Sequence, residues 1–307
     1  MNKKIVVIGS SNIDLIMKME RLPALGETVT EAEFMQVYGG KGANTAVGAA
    51  RAGGDVAFVN CVGEDAYTPM MLENYRRDGI DCSYIFQEKG LPSGHALVMV
   101  GRGGNNYLSV APGANYRLDA EKIERAKPLI SQASIVLLQY EVPAETNYRA
   151  IDMANELGVP VLWNFAPARD CNRDYLGLVS VLVVNEVEAA FLSGLQVGDL
   201  DDASRAADFL HRTGAPTVIV TLGERGALLS SEDEKLTIPA FNVEAVDTTA
   251  AGDIFCGCLA VALVEGKSRA EAVRFASAAS ALSVTRLGAQ PSAPLRSDID
   301  AFLASRS

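Results

Sequence analysis

The sequence predicts an α/β protein: a three-layer sandwich whose mainly parallel central sheet is flanked by helices, with a small second β-sheet beside it. Three observations predict this. Uninterrupted apolar runs such as Ile5–Ile8, Ile135–Leu138 and Val181–Val184 read as strands buried on both faces. These runs alternate with helical stretches, the rhythm of βαβ units. Two further regions, about 14–38 and 94–111, alternate in polarity and are punctuated by Gly and Pro, as half-exposed strands are.

In chain order, Ile5–Ile8 is the first buried strand, and it ends at Gly9-Ser10-Ser11. In open α/β sheets ligands gather beyond that end of a strand. Asn12 and Asp14 follow, and by themselves they read equally as turn residues bonding the local backbone. Met17–Glu20 alternates, Pro23 and Gly26 interrupt, and Thr28-Val29-Thr30 resumes extended structure. Gly42–Ala52 is an alanine-rich helix, with Gly48 placed for close packing. His95–Val100 and Asn106–Val110 form a hairpin around Gly101–Asn105. The βαβ rhythm then runs through Val56–Cys61, Met70–Arg77, Ser134–Leu138, Ala144–Leu157, Val159–Asn164, Val181–Val184, Val187–Leu192, Ala203–His211 and Val218–Leu222. No repeat or long linker divides it, so 1–307 is expected to be one domain.

Composition narrows the function. With 27 Lys and Arg against 38 Asp and Glu, the formal charge is −11. Such a chain has no field to attract nucleic acid or an anionic membrane. Any site for a polyphosphate must therefore be built locally. The five cysteines, Cys61, Cys82, Cys171, Cys256 and Cys258, are irregularly spaced without a Cys-x-x-Cys, which fits a reducing compartment. Met1–Lys4 leads directly into a strand, and the longest uncharged apolar run, Ile254–Val264, is too short to span a bilayer. A cytoplasmic protein is expected.

The stretch with most chemistry is Asp247-Thr248-Thr249-Ala250-Ala251-Gly252-Asp253, which precedes an apolar helix. Ala250, Ala251 and Gly252 have almost no side chain, so their N–H groups can meet a ligand closely at a helix N-terminus. That is an anion site. A carboxylate next to it, Asp253, is unfavourable for a phosphate unless it accepts a proton from the group being phosphorylated. The same residues would also serve as an ordinary helix start. A second Gly-rich stretch, Tyr38-Gly39-Gly40-Lys41-Gly42-Ala43-Asn44, lies about 200 residues earlier. There is no Walker A motif and no Gly-x-Gly-x-x-Gly.

The two stretches together resemble the paired signatures of the ribokinase (PfkB) family of carbohydrate kinases. The patterns are Gly-Gly-x-Gly-x-Asn and Asp-Thr-x-Ala-Ala-Gly-Asp, and the likeness runs from Val6 to Ser292. The resemblance implies ATP-dependent phosphorylation of a sugar's primary hydroxyl, D-ribose C5 above all, with Asp253 as base and Ala250–Gly252 as anion hole. It assigns Asn12, Asp14, Gly40, Lys41, Asn44, Glu141 and Asp253 itself to the sugar. It assigns Asn185, Thr221, Gly223, Gly226, Gly252 and Ser277 to ATP. Glu188, in an Asn-x-x-Glu that is also a capping-box spacing, would face Mg²⁺ through water. Asp247, Thr249, Ser283, Arg286, Gly288 and Ser292 match the family's monovalent-cation loop, suited to K⁺. The two alternating regions would be a lid that excludes water and pairs between two subunits of a homodimer. Cys256, Cys258, Ile254, Ser277 and Thr45 depart from the residues most usual in the family. A kinase for deoxyribose, a nucleoside or another furanose, and a non-catalytic sugar-binding regulator, remain alternatives.

Overall fold

The computed structural model describes residues 3–103 and 105–306, so Met1, Asn2, Gly104 of the predicted hairpin turn and Ser307 lie outside the described residues. The strands are β1 (Lys4–Ile8), β2 (Asn12–Met19), β3 (Ala32–Gly39), β4 (Asp55–Gly63), β5 (Asp81–Glu88), β6 (Gly94–Gly101), β7 (Asn106–Ala111), β8 (Ile135–Leu138), β9 (Val161–Asn164), β10 (Val181–Asn185), β11 (Thr217–Thr221), β12 (Ala227–Ser231) and β13 (Lys235–Ile238). The large sheet has the order β13-β12-β11-β10-β9-β8-β1-β4-β5. It is parallel from β11 through to β5, with an antiparallel hairpin, β12 and β13, closing one edge.

Because side chains alternate across a strand, the apolar runs feed two separate cores. Ile5, Val7, Leu137 and Val183 point to one face, under the helices Lys41–Arg51, Ala251–Val264 and Arg269–Ser283. Val6, Ile8, Leu138 and Val184 point to the other, under Ala144–Glu156 and Leu200–Arg212. The polar residues that end these strands are thus aimed at the same rim.

The small sheet has the order β3-β2-β6-β7. Its β2–β6 pair is parallel and its other pairs are antiparallel. The strand expected at Thr28-Val29-Thr30 does not form there. β2 ends at Met19, which pairs with Ala32, so the returning strand starts at Ala32 and 28–30 has no neighbour to pair with. A turn closed by Glu27 N–H to the Ala24 carbonyl, and by an Arg21–Glu27 ion pair, takes up the connection.

Two helices far apart in sequence cross closely at the rim. Gly48 on Lys41–Arg51 faces Ile254, where a Cβ would sit 3.1 Å from its Cα. Gly257 on Ala251–Val264 faces Thr45, where a Cβ would sit 2.4 Å from its carbonyl oxygen. Overpacking such a contact costs about 1–3 kcal/mol. This crossing brings the two Gly-rich motifs into contact.

Candidate active site

The helix Ala251–Val264 begins after Ala250, whose φ of 61° is the one positive non-glycine φ among the described residues. Holding an alanine in the left-handed region costs about 1–3 kcal/mol and is a strain found where a turn has a task. The N–H of Ala251 donates to the Thr248 carbonyl at 3.3 Å. Those of Ala250, Gly252 and Asp253 have no hydrogen-bond partner among the described residues. The free donors therefore differ by one from the expected set: Asp253's own amide belongs to it, and Ala251's is already engaged. Gly252 is exposed, and a Cβ built there would meet nothing within 4 Å. Space is left open directly over the helix N-terminus.

Asp253 is 5% exposed. Its Oδ2 accepts from Asn44 Nδ2 at 3.0 Å and its Oδ1 from Asn164 Nδ2 at 3.3 Å. Burial raises its pKa, with Lys41 and the two amides acting against that rise. Lys41 is held firmly charged, chiefly by Asp253 and, against its own burial, also by Glu141 and Glu188. A carboxylate with raised proton affinity, a fixed cation and free N–H donors thus line one cavity of about 180 Å³.

Asn185, Glu188 and Thr221 line that cavity as well. Asn185 and Glu188 form a full capping box: Glu188 N–H donates to Asn185 Oδ1 at 2.9 Å, and Asn185 N–H to Glu188 Oε2 at 2.8 Å. Burial raises the Glu188 carboxyl to about 7, despite the Asn185 N–H and Lys41. Gly223, Gly226 and Ser277 do not line the cavity. Gly226 lies against β13, where a Cβ would be 2.1 Å from the Ile238 carbonyl oxygen. Ser277 is half-buried on Arg269–Ser283.

A second cavity, of about 240 Å³, lies between the small sheet and the rim and is lined by Asn12, Val110, Tyr116, Glu141 and Arg169, among others. Glu141 Oε2 accepts from the Ser10 hydroxyl at 2.6 Å and the Lys41 N–H at 3.0 Å, so it bridges the first strand end and the first Gly-rich motif. Burial, and then Glu141, push the Asp14 carboxyl up to about 7. Asn44 Oδ1 is buried without a partner, an acceptor awaiting a donor such as a hydroxyl. Gly40 and Gly42 face protein: a Cβ on either would come within 2.6 Å of the Ser10–Ser11 backbone. Their local task is to let the helix Lys41–Arg51 abut the β1 loop.

Of the six residues expected around a monovalent cation, hydrogen bonds join Asp247, Thr249 and Gly288. Asp247 Oδ1 accepts from Thr249 N–H and hydroxyl at 2.9 and 2.6 Å, and its Oδ2 accepts from Gly288 N–H at 2.8 Å. Burial alone would raise Asp247, yet these donors hold its pKa below the usual value. The Ser283 and Ser292 hydroxyls donate to the Ser280 and Ala289 carbonyls, and Arg286 pairs with Asp298 at 3.2 Å. With the carboxylate so engaged, backbone carbonyls are the groups left to serve a cation.

Sequence reasoning missed Asn164, Ser10, Asn115 and Arg169. Asn164 was legible only as the end of an apolar strand. Arg169 supplies a cation to the lining of the 240 Å³ cavity. Its guanidinium lies 3.7 Å over the Tyr140 ring and donates to the Val142 carbonyl at 2.6 Å.

Residues 2–296 match the family model described as pfkB family carbohydrate kinase. A ribokinase of Haemophilus influenzae is 39% identical over 303 residues, 99% of either chain. A deoxyribokinase of Salmonella typhi is 37% identical over 300 residues, 97% of this chain and 98% of that one. The structure of Arabidopsis thaliana ribokinase complexed with ribose and ATP matches with a TM-score of 0.91 at 34% identity, covering 99% of each chain. With motif, fold and sequence agreeing along nearly its whole length, this chain belongs to the pfkB family of carbohydrate kinases.

Proposed function

We propose that the protein transfers the γ-phosphoryl group of ATP to the 5-hydroxyl of D-ribose, giving ribose 5-phosphate and ADP. The observation that carries this reading is the position of Asp253: a buried carboxylate, oriented by Asn44 and Asn164, beside unpaired N–H groups and Lys41. Asp253 takes the proton from the hydroxyl as that oxygen attacks phosphorus and ADP leaves. The free amides of Ala250, Gly252 and Asp253 meet the charge on the phosphoryl oxygens. Lys41 adds a fixed positive charge, and the rest of catalysis is positioning.

Asn12, Asp14, Gly40, Lys41, Asn44, Glu141 and Asp253 are assigned to the sugar. Two carboxylates, an orphaned amide oxygen and amide donors suit a polyhydroxyl ligand. Asn185, Thr221, Gly223, Gly226, Gly252 and Ser277 are assigned to ATP. Mg²⁺ would be held with ATP near Glu188 through water, where it neutralises phosphate charge; the hard oxygen donors of the cavity fit it. K⁺ would lie among carbonyls of the loops that Asp247 joins, carrying Asp247, Thr249, Ser283, Arg286, Gly288 and Ser292 as its surroundings.

The small sheet, within about 14–38 and 94–111, serves as the lid of a single catalytic domain. All of β7 is exposed, and Phe34, Leu97, Tyr107 and Leu108 leave apolar surface uncovered, which supports a homodimer paired through the lids. Five free thiols, two of them half-buried, fit a cytoplasmic enzyme. Deoxyribose is the second reading, favoured by the similarity to a deoxyribokinase. ADP release measured with pentoses, deoxyribose and nucleosides, with and without K⁺, tests the assignment. Ribose should give the highest kcat/KM. Turnover with nucleosides alone, or with no sugar, would refute it.

A further inference from the structure

A buried asparagine at the wall of the 240 Å³ cavity, outside the expected site residues, orients one of them. Asn115 is 1% exposed and follows β7 in the short helical turn Gly113–Arg117. Its Oδ1 accepts from Ser11 N–H at 2.9 Å, and its Nδ2 donates to the Ser11 carbonyl at 3.0 Å. A backbone N–H can only donate and a backbone carbonyl can only accept, so this pair fixes which way round the Asn115 amide lies. Asn60 agrees with that orientation. Its Nδ2 donates to the Gly9 carbonyl at 2.7 Å and approaches Asn115 Oδ1 at 3.4 Å, while its Oδ1 accepts from the Ser11 hydroxyl at 2.9 Å.

Asn115 Nδ2 then has one more partner, Asn12 Oδ1, at 2.9 Å. Asn12 must therefore turn its oxygen inward. Its Nδ2 has no hydrogen-bond partner among the described residues, and Asn12 lines the 240 Å³ cavity. Gly94, the first residue of β6, closes the arrangement: a Cβ there would lie 2.1 Å from Asn12 Oδ1 and 2.2 Å from Asn115 Nδ2. The pair has no room to rearrange sideways.

We infer that Asn115 is a positioning residue that sets the polarity of the sugar site, forcing Asn12 to offer N–H donors, and only donors, to a hydroxyl or ring oxygen of the sugar. This rests on the reading above that a sugar binds beside Asn12. Glu141 lines the same cavity and contributes an acceptor, with the Asp14 carboxyl near enough to feel its charge, so a donor at Asn12 lets one sugar oxygen both give and receive a hydrogen bond. Free rotation of the Asn12 amide would halve that complementarity, because the turned-over form would set an acceptor among acceptors.

The test is Asn115→Asp, which nearly keeps the shape but sets an acceptor against Asn12 Oδ1 and the Ser11 carbonyl. Asn12 then turns over. The expected result is a rise of about tenfold or more in the Kd and KM for D-ribose, the scale of one lost hydrogen bond plus a misplaced acceptor. The KM for ATP should stay within about twofold. In an Asn12→Ala background the same change should leave ribose affinity where Asn12→Ala alone puts it, since the two residues act as one unit. Additive losses, or unchanged ribose affinity in folded Asn115→Asp, overturn the inference. Should that variant fail to fold, Asn12→Asp keeps one oxygen on Asn115 Nδ2 and turns the other to the cavity. It should weaken ribose to a similar degree at an unaltered Tm, and ribose affinity equal to wild type would overturn the idea. A wild-type protein that binds no pentose defeats the functional reading and this inference with it. Wild-type ribose binding that neither variant disturbs defeats the inference alone.

Discussion

Gly252→Ala should make the protein more stable and nearly inactive, and the two effects have separate structural causes. Gly252 is the second residue of its helix, and a Cβ added there meets no protein atom within 4 Å. The substitution thus introduces no clash and removes the conformational penalty of a helical glycine, roughly 0.5–1 kcal/mol. At about 2.1 cal/mol/K of unfolding entropy per residue, the 307 residues give roughly 0.6 kcal/mol/K, so Tm should rise by about 1 °C. The methyl group, however, projects into the 180 Å³ cavity beside the unpaired N–H groups of Gly252 and Asp253. A phosphoryl group displaced by about 1 Å from those donors and from Asp253 loses about 100-fold in rate. A coupled assay of ADP release at saturating ribose measures the second effect, and differential scanning fluorimetry the first. The KM for ribose should change less than kcat, because Asn12 and Glu141 line the other cavity, away from Gly252. Turnover close to wild type would show that no phosphoryl group sits over Gly252. A Tm lowered by several degrees would show that the space is not open.

Asp253→Asn should lower kcat by about 10²–10⁴, the usual contribution of a general base, while ribose and ATP still bind; near-wild-type turnover refutes the role of Asp253. The Asp14 carboxyl, raised by burial and Glu141 from 3.8 to about 7, favours the folded state most when protonated. Its contribution is full below the unfolded pKa and is lost as pH rises towards 7, so the stability of the wild type relative to Asp14→Asn should fall between about pH 4 and 7 with a slope of at most ~1.4 kcal/mol per pH unit, then level off. Urea unfolding of both proteins across that range checks this, and a constant difference would contradict it. Asp247→Ala removes three hydrogen bonds, two from Thr249 within the turn before the helix and one from Gly288 N–H that ties this turn to the 284–288 loop. Amide exchange should quicken in 247–252 and 284–288 without global unfolding, and kcat should drop about tenfold with a blunted response to K⁺; unchanged exchange there would argue against the coupling.

How much of this was legible in the sequence follows from how local each feature is. The strands β1, β8 and β10 announce themselves as apolar runs because both faces are buried. The edge strands β5 and β13 do not, because they are mostly half-buried or exposed and carry no clean period; β12 is buried at four of five positions, but its apolar run is only Ala227–Leu229 before two serines. Thr28–Thr30 had the β-branched composition of a strand, but pairing is decided by where the partner ends, and Met19 ends it. The turn before Asp253 was readable for the opposite reason: small residues, a carboxylate and an apolar helix are contiguous. Even there the composition misplaced one donor, since only the backbone shows Ala251 N–H bonded to Thr248.

The contacts that give Asp253 its chemistry are not contiguous at all. Asn44 lies 209 residues away and Asn164 lies 89 residues away. Gly48 and Gly257 bring the first of these to Asp253 by letting two helices cross with backbone close against backbone. The sheet register brings the second, placing Asn164 at the end of β9 beside Val183 of β10. Glycine at 48 could be read from the sequence as a packing residue; that its partner surface held the second motif could not. The same holds for Asn12. As a residue type it could present either an oxygen or an N–H₂ to a sugar, and the chain around it is silent on the choice. A backbone amide and a carbonyl of Ser11 decide it, through a side chain that arrives from 103 residues further on. Recognition of a polyol depends on donors facing lone pairs, so, on the inference drawn above, the polarity at Asn12 is set by a neighbour that the motifs do not include. Motif matching finds Asn12. The neighbour that orients it follows from counting which buried donors and acceptors are left with a single way to pair.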